Sequence, residues 1–337
     1  MRNILPFLIA PALWFAPAAA QAQQPVPPPS SVVEGADFRV YDHRGRSRSF
    51  ADVVKAVDEA DAVLVGETHD DVVGHGVETE IFVRSVERMG AVGEGTSPRR
   101  PVVLSLEMFE RDVQYILDEY LAGLIIEDQF KKSARPWDRY DTDYRPMVEF
   151  AKAHGLRVMA SNAPRRYVNR VSRLGPASLD PLPETAKAFL PPLPYPGPSE
   201  EYTAKWNALM AEMASPPRPA QDSSAAAAPP AQMPPPTHGI GNALYAQALW
   251  DAAMGHAVAA ALDAQAGALV VHYVGSFHVA EGMGIPERVR DYRPRSRVLT
   301  VVLQPAADID GWNEDEHRDL GDFVILTKRP ADAAVGS

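Results

Sequence analysis

Cysteine is absent from all 337 residues. A disulfide framework, a thiolate metal site and a cysteine nucleophile are therefore excluded, as is the acylated cysteine that anchors a bacterial lipoprotein. Positive charge is not in excess either: 33 Lys and Arg face 44 Asp and Glu, a formal net charge of −11. A nucleic-acid-binding surface needs clustered cations, so a small molecule or a protein is the expected partner and nucleic acid is not. Long apolar runs are also scarce. One spans Ile4 to about Ala18, shorter than the roughly 20 residues that cross a bilayer, and no later segment reaches that length without a charge.

Arg2 before that run and Ala20-Gln21-Ala22 after it complete the pattern of a cleaved secretory signal peptide over residues 1–22. The expected product begins near Gln23, lacks a transmembrane segment and is periplasmic or secreted. Prolines make residues 23–35 a flexible spacer. A second low-complexity stretch of Pro, Ala and Ser at 215–238 buries too little apolar surface to offset its ordering entropy. It reads as an excursion from one domain covering 36–330, with a short tail at 331–337, because strands on both sides of it are needed for a complete sheet.

Short apolar runs alternate with helical spacing, the sign of βα units. Strands are expected at Phe38 to Tyr41, Ala62 to Gly66, Val102 to Leu106, Leu156 to Ala160, Leu269 to Gly275, Val298 to Leu303 and Phe323 to Leu326. Helices are expected after Ser49, over Asp70 to Met89, Glu110 to Leu121, Pro146 to Ala153, Pro164 to Leu174, Ser199 to Met213 and Asn242 to Leu262. Residues from Pro176 to Pro198 are proline-rich and read as an irregular loop. The fold class that follows is α/β, with a central, mostly parallel sheet flanked by helices.

Four of these strands run into residues able to do chemistry. They lead to Gly66-Glu67-Thr68-His69, to Glu107, to Ser161-Asn162-Ala163-Pro164-Arg165, and to Gly275-Ser276-Phe277-His278. Ligands in open α/β sheets bind beyond the carboxyl ends of strands, so the four clusters are expected to share one crevice. The glycine of each Gly-x-x-His is read as adopting backbone angles closed to other residues, turning the chain off the strand. His69, His278, Glu67 and Glu107 form a donor set for a divalent metal such as Zn, Mn or Co, with Glu67 or Glu107 as an alternative general base. A single histidine after a strand is as a rule a structural residue; it is the repeated spacing that sets this pair apart. Arg165, in a helical first turn where the dipole disfavours a cation, points to an anionic partner. Asn162 either contacts that ligand or satisfies loop backbone. His75, His154, His256 and His317 have no partner at ligand spacing and read as structural. Trp137, Tyr140 and Tyr144 read as aromatics of a polar loop, either lining a flat ligand or packing the loop.

In this order and spacing, Val65 to His69, Leu106-Glu107-Met108-Phe109, Trp137 through Pro146, Ala160 to Arg165 and Gly275 to His278 resemble the heme-binding uptake proteins called ChaN. That family lies within the broader Tiki/TraB and erythromycin-esterase-like superfamily. The resemblance covers about Ala62 to Leu303. It implies a paired heme site at a homodimer interface, with tyrosine to iron and histidine to propionate, and a role in heme and iron uptake. Tyr140, Tyr144 and Tyr167 are the candidate iron ligands, since a tyrosinate oxygen suits ferric heme. The Tiki branch implies something else, a metal-dependent hydrolase using His69, His278 and Glu67 or Glu107. The chain departs from the lipidated heme binders in lacking their cysteine and in carrying the 215–238 insertion.

Overall fold

A computed structural model describes residues 32–91, 99–214 and 240–329. The expected signal peptide, most of the spacer, the 215–238 insertion and the tail lie outside the described residues.

The strands are β1 (Phe38–Asp42), β2 (Ser47–Arg48), β3 (Ala62–Glu67), β4 (Val102–Glu110), β5 (Arg157–Asn162), β6 (Leu269–Gly275), β7 (Val298–Ala306) and β8 (Phe323–Lys328). They form one sheet in the order β2-β1-β8-β7-β3-β6-β4-β5. From β8 to β5 every pairing is parallel, and β1 joins antiparallel to β8 and to β2. Strand β6, which follows the insertion in sequence, lies between β3 and β4, which precede it. The sheet is thus assembled from both halves of the chain.

Eleven helices accompany the strands among the described residues: α1 (Phe50–Ala56), α2 (Val72–Arg88), α3 (Gln114–Leu121), α4 (Glu127–Ala134), α5 (Arg145–Ala153), α6 (Arg165–Leu174), α7 (Glu184–Lys187), α8 (Glu200–Ala214), α9 (Ala243–Ala264), α10 (Ile285–Tyr292) and α11 (Glu314–His317). The Ser49 cap of α1 is a full capping box with Asp52. Every residue of β3 and β6 is buried, as expected of parallel strands covered on both faces. Their side chains alternate accordingly. Val63, Val65, Val271 and Tyr273 pack with Val77, Ile81 and Phe82 of α2 and Met147 and Val148 of α5, whereas Leu64, Val270 and Val274 pack with Met254, Val258 and Ala261 of α9.

Two local expectations are corrected. Strand β4 does not stop at Leu106 but continues to Glu110, with an irregular register against β5 between Leu106 and Glu110; a tight turn at Arg111–Val113 then precedes α3, where the sequence suggested helix from Glu110. The apolar Met108 and Phe109 extend the buried run past Glu107 and keep it extended. Residues 140–144 are not loop but a π-helical turn feeding directly into α5. Tyr140 and Tyr144 are buried rather than exposed, since this wide turn swings both inward.

Candidate functional site

The register of three neighbouring strands builds the site. Glu67 ends β3 opposite Gly275, the last residue of β6, and Leu106 of β4 pairs with Tyr273, so Glu107 follows at nearly the same level. The Gly275 amide donates to Glu107 Oε2 at 2.8 Å. The chain continues from β6 into the turn Ser276–His278, which places His278 Nε2 3.7 Å from Glu107 Oε1. His69 reaches the same point from β3: a Cβ built on Gly275 would lie 3.1 Å from His69 Nε2 and 3.8 Å from Glu107 Oε2. The four residues singled out from sequence are thereby brought together on one rim of the sheet.

The two glycines serve this geometry in a different way from the one expected. Neither Gly66 nor Gly275 has a positive φ, and Gly275 sits at −55°, open to any residue. What each provides is room. An added Cβ at Gly66 would come within 2.6 Å of Val279 Cγ2 and 2.9 Å of the Ser276 Cα, and one at Gly275 would press on the His69 ring.

Each imidazole is tethered through Nδ1 by a carboxylate. His69 Nδ1 is 2.6 Å from Glu67 Oε1, and His278 Nδ1 is 2.5 Å from Asp251 Oδ1 on α9. Gln247, one helical turn before Asp251, places its Nε2 3.2 Å from the His278 ring. Burial works against protonating either ring, but Glu67 and Glu107 around His69, and Asp251 and Glu107 around His278, outweigh it, and both pKa values are raised. His278 is buried, whereas the His69 side chain is 41% exposed, with the Trp137 ring packed edge-on at 4.9 Å.

Beneath His69 lies a buried polar network. Tyr144 donates its hydroxyl to Glu67 Oε1 at 2.7 Å, and His75 Nδ1 lies 3.4 Å from Glu67 Oε2 and 3.0 Å from Glu78 Oε2. His75 Nε2 faces the His69 carbonyl at 3.2 Å and Asp143 Oδ2 at 3.3 Å. Burial acts to raise the Glu67 carboxyl, yet bonds from His69 and His75 hold it well below the usual carboxylate range. Burial and the Glu67 charge push the Glu78 carboxyl far up. His75, despite burial, is pushed up to about 11 by the two carboxylates. Burial followed by the charges of Glu67 and Glu78 raises the Tyr144 phenol strongly, keeping it a donor.

The sequence reads His75 as structural, with no partner at ligand spacing; the structure sets it beside Glu67, Glu78 and Asp143. The signal available for it was His75 and Glu78 at i and i+3 on one helical face. Glu67, His75 and Glu78 also offer ligand atoms all within 4.8 Å of one another, a metal-compatible triad sharing only Glu67 with the expected set. Asp251 was missed as well. Its signal was Gln247 and Asp251 four apart on an Ala-rich helix that buries both, where unpaired polar groups are costly.

The remaining candidates fall elsewhere. Tyr140 is 2% exposed and packs against Phe109 and Phe130, away from the histidines. Tyr167 is half-buried on α6 beneath the Arg166 guanidinium, 4.5 Å above its ring. Asn162 ends β5 beside β4, buried, with its Oδ1 lacking a partner among the described residues. Arg165 is exposed, and among the described residues its side chain forms no ion pair or hydrogen bond.

Residues 53–289 match the family model described as haem-binding uptake, Tiki superfamily, ChaN. The chain belongs to this family. The matched span contains every residue of the strand-end cluster. Among solved structures, the chain is similar to ChaN of Campylobacter jejuni, described with cofacial heme binding, at 16% identity and a TM-score of 0.60 over 88% of this chain and all of that one. It is similar, more distantly, to the type III effector HopBA1, at 11% identity and a TM-score of 0.43 over 82% of this chain and 92% of that one. The erythromycin esterase EreC in its open conformation matches at 10% identity and a TM-score of 0.41, over 80% of this chain and 77% of that one. No curated protein sequence matches. The ChaN likeness is one of fold: a mostly parallel eight-stranded sheet flanked by helices. Among the described residues no helix is long and apolar enough to cross a membrane.

Proposed function

We propose that this ChaN-family chain is an exported heme-binding protein that serves heme or iron uptake, working as a homodimer in the periplasm or outside the cell. The observation that carries the reading is His69, the cluster imidazole that reaches solvent while a buried carboxylate holds its Nδ1. An imidazole tethered in this way is fixed in orientation and made more basic, the usual preparation of a ligand to iron or of a partner to a propionate. Trp137 beside it adds a flat apolar face suited to a porphyrin edge. The donor set therefore fits the group. When bound, heme would supply an iron centre that accepts an oxygen or nitrogen donor and two carboxylates that seek cations.

In this reading His69 holds the ligand, Glu67 orients His69, and Tyr144 with His75 fixes Glu67. Tyr140 and Tyr144 are buried, so Tyr167, half-buried at the start of α6, is the phenol we assign to iron. Arg165, at the start of the same helix, and Asn162, at the end of β5, supply the polar contacts. Titrating the purified chain with hemin is expected to give a Soret band saturating at micromolar or tighter affinity; a flat titration would overturn the reading.

A second reading has its own observation, the Asp251–His278 pair facing Glu107. Two carboxylate-tethered imidazoles and a glutamate at one rim are a donor set for Zn, Mn or Co, whose role would be to activate water for ester or peptide hydrolysis. Glu107 or Glu67 would then hold the proton. Activity that requires added metal and is lost in both His69→Ala and His278→Ala favours this reading over the first.

A further inference from the structure

Arg111 stands in the turn between β4 and α3, partly buried. Among the described residues, other arginines of this region meet carboxylates: Arg166 pairs with Asp112 at 2.5 Å, Arg288 with Asp291 at 3.1 Å and Arg293 with Asp263 at 2.9 Å. Arg111 meets none. Its partners are neutral: Nη1 donates to the Leu190 carbonyl at 3.3 Å and lies 3.4 Å from His256 Nδ1 on α9. Burial and the Arg111 charge both push the His256 imidazole down, so the ring is neutral and can only accept from the guanidinium.

Tyr292 at the end of α10 packs edge-on against His256, the ring centroids 5.1 Å apart. The Tyr292 hydroxyl is a buried atom without a hydrogen-bond partner among the described residues. A guanidinium and a phenol thus stand about one imidazole with more donors than acceptors and one uncompensated positive charge. A partly buried cation with no counter-charge favours an anion beside it, and a planar guanidinium matches the fork of a carboxylate or phosphate.

We propose that Arg111, His256 and Tyr292 form an anion site that takes a small oxyanion, a carboxylate or a phosphate, separate from the strand-end cluster and independent of its occupant. The oxyanion supplies acceptors to both donors and balances the charge. None of the three residues takes part in the network around His69 and His278.

Calorimetric titration of the full-length mature chain with inorganic phosphate and with acetate, at ionic strength held constant with chloride, tests this. Saturable one-site binding of either anion is expected. Tighter phosphate binding assigns a phosphorylated ligand, and tighter acetate binding a carboxylate. Arg111→Gln is expected to weaken binding about tenfold or more, in line with the loss of a charge-assisted pair. Tyr292→Phe should weaken it about threefold to tenfold without lowering the melting temperature measured in the absence of anion, because its hydroxyl has no protein partner to lose. His69→Ala should bind as the parent does. If Arg111→Gln does not fold, Arg111→Lys, which keeps charge but not the fork, is expected to show a smaller loss. No saturable binding of either anion, or binding undiminished in both the Arg111 and Tyr292 variants, would overturn the proposal.

Discussion

The Tyr144 hydroxyl donates to Glu67 Oε1 at 2.7 Å, and the same oxygen holds His69 Nδ1 at 2.6 Å. A phenol on the π-helical turn is thus linked to the partly exposed imidazole through one carboxylate oxygen. Removing the hydroxyl in Tyr144→Phe leaves a buried carboxylate with one donor fewer. The expected cost is about 2 kcal/mol of unfolding free energy, typical of a hydrogen bond to a charged group, measured by urea denaturation. An unchanged midpoint would mean that water or His75 replaces the phenol.

Gly275 leaves the space that the His69 ring fills, at an unstrained φ of −55°. Gly275→Ala therefore acts by contact rather than by backbone strain. We expect a folded protein destabilised by about 1–3 kcal/mol, as for a small overpacking change, with hemin affinity reduced about tenfold because His69 must shift. Spectral titration of the variant checks this, and full retention of affinity would separate His69 from the ligand.

Asp251 is the residue that ties His278 to α9. In Asp251→Asn the imidazole loses the carboxylate that most favours its protonated form, while burial continues to oppose it. Its pKa is expected to fall, read by NMR titration of the labelled histidine ring. A titration indistinguishable from the parent would leave Glu107 as the controlling charge.

His272 lies in mid-strand on β6, fully buried, with Nδ1 2.8 Å from Ser105 Oγ. Burial, then the charge of His278, push its pKa down to about 3. Because the folded value is depressed, the unfolded chain takes up the proton first as pH falls below the ordinary imidazole value near 6.5. Stability is therefore complete above about pH 6.5 and is lost progressively toward pH 3, by roughly 3 kcal/mol at pH 4 from this group alone. Denaturation curves at pH 7 and pH 4 should show this loss, and His272→Asn should shrink it. A loss equal in both proteins would assign the acid sensitivity to other groups.

Much of the architecture is legible in the sequence, because buried parallel strands announce themselves as short apolar runs and helices by their spacing and caps. Leu269–Gly275 is read to the residue, and the convergence of Glu67, His69, Glu107 and His278 follows from strand ends alone. What escapes is set by tertiary packing. Nothing local distinguishes Tyr144 in a buried π turn from a tyrosine in a polar loop. The roles of Gly66 and Gly275 depend on what approaches them from other strands, not on their own dihedral angles. His75 and Asp251 find their partners through helix placement, so their spacing on helical faces is the only trace they leave in the chain.

The central claim is that the strand-end cluster meets heme through His69. Hemin titrations of the parent chain, His69→Ala and Tyr140→Phe, followed at the Soret band and fitted for affinity, test it most directly. The account predicts saturable binding by the parent, a loss of about tenfold or more in His69→Ala, and parent-like binding by Tyr140→Phe, whose ring lies in the aromatic core. Binding that is unchanged in His69→Ala, or absent in the parent, would contradict it.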